Sequence, residues 1–187
     1  MKTLCVAVCL QAFFLLPLQD ARAESPATPV IAKQRKLVYQ MQPDGSKVLK
    51  HQEVGVFYRS SSGAVMNTMG KLSTFIDEQG NAYEISAHSK NARFVERQEL
   101  PHLRKVQGIM GHETVNGFDC GVRTVLVNGK PGGKSYWSQQ LALTIKWDVM
   151  FGDSETVREI YEVTFAEPDE SLLRIPEGYS IDNQSKQ

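Results

Sequence analysis

The sequence predicts a mainly β protein: a strongly curved antiparallel sheet, an open half-barrel in meander topology, with little helix. Three observations predict it. Apolar and polar residues alternate over one short run after another. Gly, Asn and Asp cluster between the runs, and almost no stretch carries a helical period. The longest run, Ser135–Phe165, shows the pattern best. Leu141, Leu143, Ile145, Trp147 and Val149 occupy alternate positions, and Val157, Tyr161, Val163 and Phe165 share one parity after the linker Met150–Thr156. A period of two puts one set of side chains in the interior and the other in water. Placing Val149 opposite Val157 sets Ile145 against Tyr161, Leu143 against Val163 and Leu141 against Phe165, a hairpin with one apolar face. In this reading Arg158, Glu162 and Thr164 face solvent.

The N-terminus has a separate logic. Lys2 precedes an apolar block from Thr3 to Leu18, and Ala21-Arg22-Ala23 supplies small residues at −3 and −1. This is the layout of a secretory signal peptide, residues 1–23, with cleavage after Ala23. The block is too short for a lasting transmembrane anchor, so the expected location is periplasmic or secreted. Cleavage leaves 19 basic and 20 acidic residues and Cys120 as the one remaining cysteine. A near-neutral chain offers no field for nucleic acid, and a lone cysteine forms no internal disulfide. Cys120 reads as a small buried hydrophobe.

Residues 24–35 hold two prolines without periodicity and read as a flexible lead-in to a single β domain, 36–182, followed by a polar tail, 183–187. Leu37, Tyr39 and Met41 alternate up to the turn cluster Pro43–Ser46, after which Val48 resumes extended chain. Val54–Arg59 turns at Ser60–Gly63 into Ala64–Met69. Leu72–Ile76 and Ala82–Ser86 flank Asp77–Asn81, a tight reversal. Ala92–Val95 is a further strand, and Glu96–Lys105, interrupted by Pro101, a connector. Gly111–Val115 and Phe118–Val127 flank Asn116-Gly117, a strong hairpin dipeptide. Asn128–Gly133 then reads as a loop into the long hairpin.

No catalytic signature is present. His51, His88, His102 and His112 lack metal-ligand spacing, no serine lies in a nucleophile elbow, and Gly129–Gly133 lacks the lysine and helix of a phosphate loop. Glu167, Asp169, Glu170 and Glu177 lack the spacing of a calcium loop. No cofactor, no metal and no enzymatic activity are expected.

The C-terminal segment Glu167–Ile181 holds an apolar pair, Leu172 and Leu173, and the turn Pro176-Glu177-Gly178. A long hairpin closed by such a plug and turn resembles the ending of the periplasmic lipoprotein-carrier superfamily, and in particular its uncharacterised secreted bacterial branch. The upstream strand-turn units from Val54 are similar as well, so the resemblance spans Val54 to Ile181. It implies an open half-barrel whose concavity binds acyl chains under a helical lid, although no stretch here is long enough to form that lid. The expected site is the apolar hairpin face, Leu141, Leu143, Ile145, Trp147, Tyr161, Val163 and Phe165. Its expected occupant is a lipid or acyl chain. The alternative is an envelope protein docking on a sheet edge or apolar face.

Overall fold

The computed structural model describes residues 27–95 and 106–182. The expected signal peptide, the expected connector Glu96–Lys105 and the expected tail 183–187 lie outside these. Nearly all the rest is one open sheet of twelve strands, more than the eight to ten that the runs suggest. They are β1 (Val30–Met41), β2 (Lys47–Arg59), β3 (Val65–Met69), β4 (Leu72–Ile76), β5 (Ala82–Ser86), β6 (Asn91–Val95), β7 (Val106–Val115), β8 (Phe118–Val127), β9 (Lys130–Ser138), β10 (Leu143–Phe151), β11 (Ser154–Thr164) and β12 (Ser180–Asp182). Among the described residues one 3₁₀ turn, Glu170–Leu172, is present, capped by Asp169, whose side chain accepts from the Ser171 amide.

The spatial order is β12-β6-β5-β4-β3-β2-β1-β11-β10-β9-β8-β7. Two meanders, β1–β6 and β7–β11, therefore meet at a seam between β1 and β11, the longest-range antiparallel pairing in the sheet. β12 adds the one parallel pairing, along β6. This order itself demands curvature. Ten strand intervals separate β6 from β7, about 48 Å if flat at ~4.8 Å each. The chain from Val95 to Val106 reaches only about 38 Å when fully extended.

Two elements differ from the periodicity reading for identifiable reasons. β1 takes in Val30 to Arg35, six residues of the expected lead-in, because Val30, Ala32 and Gln34 alternate as buried positions once β2 and β11 flank them. The stretch Ser135–Val149 belongs to two strands, β9 and β10, with Gln139–Ala142 a turn in which Ala142 takes φ +46°. Leu141 thus sits in a turn, not a strand. Asn116-Gly117 forms the expected tight turn, both residues at positive φ.

Val30, Ala32, Phe57, Ile160, Ile145, Leu141, Val122 and Cys120 form the main core. Two hairpin tips close over it. The Asn116 side chain donates to the Ile160 carbonyl at 2.7 Å. Buried Arg59 donates to the Leu141 carbonyl at 2.8 Å and to the Thr28 carbonyl at 2.9 Å, tying β2 to the β9–β10 turn. On β3–β6, Met66, Ile85 and Ala92 are covered by Leu173, Ile175 and Tyr179 of the C-terminal segment. Leu173 thus provides the apolar plug, while its neighbour Leu172 stays exposed.

Candidate functional site

The site begins with the register of the long hairpin. β10 and β11 continue to a two-residue turn, Gly152-Asp153, with Gly152 at φ +59°. Val149 therefore lies opposite Thr156 and Trp147 opposite Arg158, one residue away from the Val149–Val157 register. A one-residue shift exchanges the faces of a strand. Arg158, expected in water, lands on the interior face beside Trp147. Tyr161 lands on the opposite face, where the Arg35 guanidinium lies 5.2 Å from its ring centroid.

The parity then changes again. Between Ile31 and Lys33 of β1 the β11 pairing gains a residue, and Glu162 there adopts φ +48°. Such a bulge re-aims the chain, and Val163 packs against the main core together with Leu143. The seven expected site residues are therefore not one continuous surface. Leu141 and Ile145, 1% and 0% exposed, are core. Leu143 and Val163 support that core, and Trp147 is partly buried on the open part of the face. Tyr161 is on the other side. Phe165 is exposed, its ring meeting Phe118 edge-on at 6.4 Å.

What replaces the apolar surface is a cross-strand row on a single face. Direct pairings run Glu53–Lys36–Arg158–Trp147–Ser135–Arg123, from β2 through β1, β11, β10 and β9 to β8. Directly opposed residues point to the same side of a sheet. Trp137, two residues along from Ser135, shares that side, and the Arg123 guanidinium lies 5.1 Å from its ring centroid. Both tryptophans of the chain thus stand on this face, each beside an arginine.

Arg158 is held from within the fold. Its Nη2 donates to Gln34 Oε1 at 2.8 Å and to Asn67 Oδ1 at 2.7 Å, and Nε approaches Gln34 Oε1 at 3.3 Å. Gln34, 1% exposed, fixes that geometry: its Nε2 lies 2.8 Å from the Val56 carbonyl, 2.8 Å from the Thr68 carbonyl and 2.6 Å from Asn67 Oδ1. To reach β3 the Gln34 amide must cross β2, and it does so at Gly55, its direct partner. A Cβ on Gly55 would stand 1.8 Å from the Thr68 oxygen, so only glycine leaves the passage open.

The electrostatics follow from these contacts. Burial holds the Arg158 guanidinium below its ordinary range, partly offset by the nearby Glu53 carboxylate. Burial acts to raise the Glu53 carboxyl, but hydrogen bonds and charge from Lys36 (3.2 Å) and His51 (3.5 Å) outweigh it and lower the pKa overall. Among the described residues Arg158 has no carboxylate within ion-pair distance; its contacts are neutral amide oxygens. The opposite face of the seam carries Arg35–Glu159 and Lys33–Glu162 ion pairs, the latter exposed on both sides and therefore a weak contributor to stability. Among the described residues no group of three His, Cys, Asp or Glu side chains is placed to hold a metal, and no helix is long and apolar enough to cross a membrane.

The Arg158 network carried only one signal in the sequence, a glycine, Gly55, inside the strand pattern Val54–Arg59.

No family model matches the chain, and no curated protein matches it in sequence. Solved structures align with it, and two with TM-scores above 0.5 share its fold. An uncharacterised conserved protein from Thermus thermophilus aligns over 81% of this chain and 90% of its own, at TM-score 0.51 and 8% identity. PNGF-II aligns over 82% of this chain at TM-score 0.54 and 11% identity, and this chain spans 31% of its length. A LolA superfamily protein from Nitrosomonas europaea aligns over 80% of this chain and 91% of its own, at TM-score 0.39 and 6% identity.

Proposed function

We propose that the protein is a non-enzymatic, exported envelope protein that holds a hydrophobic, lipid-like ligand against the face carrying Trp147. The observation behind this reading is the row itself. A sheet normally buries its aromatic residues under a second layer. The other face of β3–β6 is covered by Leu173, Ile175 and Tyr179, whereas Trp147 and Trp137 are only partly buried and flank a polar centre. The apolar end of the same face, where Val163 packs on the core holding Ala32, Phe57 and Ile160, offers a continuation for an acyl chain. The resemblance of Val54–Ile181 to the lipoprotein-carrier superfamily supports the same reading, as does the signal-peptide layout of residues 1–23. In this proposal Trp147 is the principal contact, and Tyr161 and Phe165 take no part.

The test is uptake of a fluorescent fatty acid by delipidated mature protein. Saturable binding, weakened several-fold by Trp147→Ala, is the expected result. No saturable binding at tens of micromolar would overturn the proposal.

A second reading is favoured by one observation. Among the described strands β7 forms an edge of the sheet, and it carries exposed Ile109 and Met110, the latter 63% exposed. An edge strand with apolar side chains suits addition of a strand from another envelope protein. Cross-linking in intact envelopes from a photoreactive residue at position 110 would trap that partner.

A further inference from the structure

Arg158 presents unspent hydrogen-bonding capacity toward the open face. A guanidinium carries five N–H donors. The contacts with Gln34 and Asn67 occupy Nε–H and both N–H groups of Nη2, leaving the two of Nη1. Among the described residues Nη1 has no protein acceptor, and no fully buried side-chain nitrogen lacks a partner, so Nη1 keeps some exposed surface. Nε and Nη2 are locked into the fold by neutral oxygens, and Nη1, the outer side of the fork, is left for a ligand on the face that carries Trp147.

The charges around it have one sign. The row holds three cations, Lys36, Arg158 and Arg123, against one carboxylate, Glu53, which is already engaged by Lys36 and His51. A cation withdrawn from water beside neutral partners is incompletely compensated. The geometry that best compensates a guanidinium edge is an oxyanion, which accepts from it with charge-assisted hydrogen bonds.

We propose that the outer edge of Arg158 seats an oxyanion, a carboxylate or phosphate monoester, at the head of an apolar chain that lies along Trp147. Lys36 on the neighbouring strand strengthens the field at that seat. The proposal rests on the lipid-binding reading for its apolar half and on Arg158 alone for its polar half. It narrows the ligand from a lipid-like molecule to an anionic amphiphile.

The experiment compares decanoate, decyl phosphate, 1-decanol, inorganic phosphate and a poly-glutamate peptide, the amphiphiles below micelle formation, by calorimetric titration of the mature protein and of the variants Arg158→Gln, Arg158→Lys and Lys36→Gln. Circular dichroism verifies that each variant is folded. Lys36→Gln, at a partly exposed position, keeps the test informative if Arg158→Gln fails to fold. The two anionic amphiphiles are expected to bind about tenfold or more tightly than decanol, the scale of one charge-assisted contact. Arg158→Gln should abolish that preference, Arg158→Lys should retain part of it, and Lys36→Gln should reduce it several-fold. Equal binding of decanol and decanoate would overturn the oxyanion seat while leaving the lipid reading intact. Binding of inorganic phosphate with no amphiphile bound would uphold the seat and overturn the lipid reading. Tighter binding of a poly-glutamate peptide than of decyl phosphate would overturn the amphiphile and point to an acidic protein segment. No binding of any probe would overturn both.

Discussion

Arg158 stands directly opposite Trp147 across the β10–β11 pair, so a partly buried cation and a partly buried aromatic ring share one face of the sheet. The pairing depends on a two-residue turn at Gly152-Asp153. It also depends on a network, begun by Gln34, that holds the guanidinium from behind.

Gln34 is the keystone of that network, and its removal should be costly. Gln34→Ala strips Arg158 of its Oε1 acceptor and leaves the Thr68 and Val56 carbonyls without their side-chain donor. Leaving buried polar groups unpaired costs about 1–3 kcal/mol per group. Urea denaturation should show a loss of about 2–4 kcal/mol. A loss below about 0.5 kcal/mol, the level of an ordinary surface substitution, would contradict the network's structural role.

Gly55→Ala should be at least as damaging, through sterics alone. The new Cβ would meet backbone, not a yielding side chain, at 1.8 Å from the Thr68 oxygen. The β2 and β3 strands must then separate or the Gln34 amide must withdraw. A variant with unchanged melting temperature would show that Gln34 does not cross β2 at this point.

Much of the fold was legible from periodicity and turn chemistry. β4, β5 and β8 have the bounds that alternation alone suggests, because each lies beside a short turn rich in Gly, Asn or Asp that fixes its ends. The register of β10 against β11 was not legible. Apolar alternation favoured pairing Val149 with Val157, and the tight turn at Gly152-Asp153 overrode it by one residue. The bulge at Glu162, a non-glycine residue at positive φ, left no mark in the sequence. The candidate site was the least legible part. Arg158 reaches Gln34 across 124 residues and Asn67 across 91, and no local pattern encodes a contact at that separation. In the sequence Arg158 looks like any solvent-facing residue of a half-buried strand.

Tyr136 gives the sheet a specific alkaline sensitivity. Burial first, then the Asp148 and Glu113 carboxylates, push its phenol up to about 12. A free phenol ionises near about 10. The folded pKa is therefore raised, so the stability it contributes is fully present below about pH 10 and is lost as pH rises through about 12. The absorbance titration at 295 nm of the native protein minus that of Tyr136→Phe should show one phenol ionising near pH 12. A difference curve centred near pH 10 would show that Tyr136 is not in the buried position described.

Cys120 should be silent until the chain unfolds. It lies in the main core, its Sγ 3.5 Å from the Phe118 carbonyl, and burial raises its pKa. A thiolate is the reactive form, and both effects suppress it. Ellman's reagent should label the native protein at least a hundredfold more slowly than the urea-unfolded protein. Comparable rates would show that the hairpin tips carrying Asn116 and Leu141 do not close over the core.

The claim that this face is a ligand site is tested most directly at the two indole N–H groups, since the chain has only two tryptophans. In a ¹⁵N-resolved NMR titration with decanoate, the Trp147 indole should shift progressively to saturation. Trp137, under Arg123, should move less, and the Trp147 shift should vanish in folded Arg158→Gln protein. If neither indole moves at saturating decanoate, or if the Trp147 shift persists unchanged in Arg158→Gln, then the Trp147–Arg158 pair is not the site at which an anionic amphiphile binds.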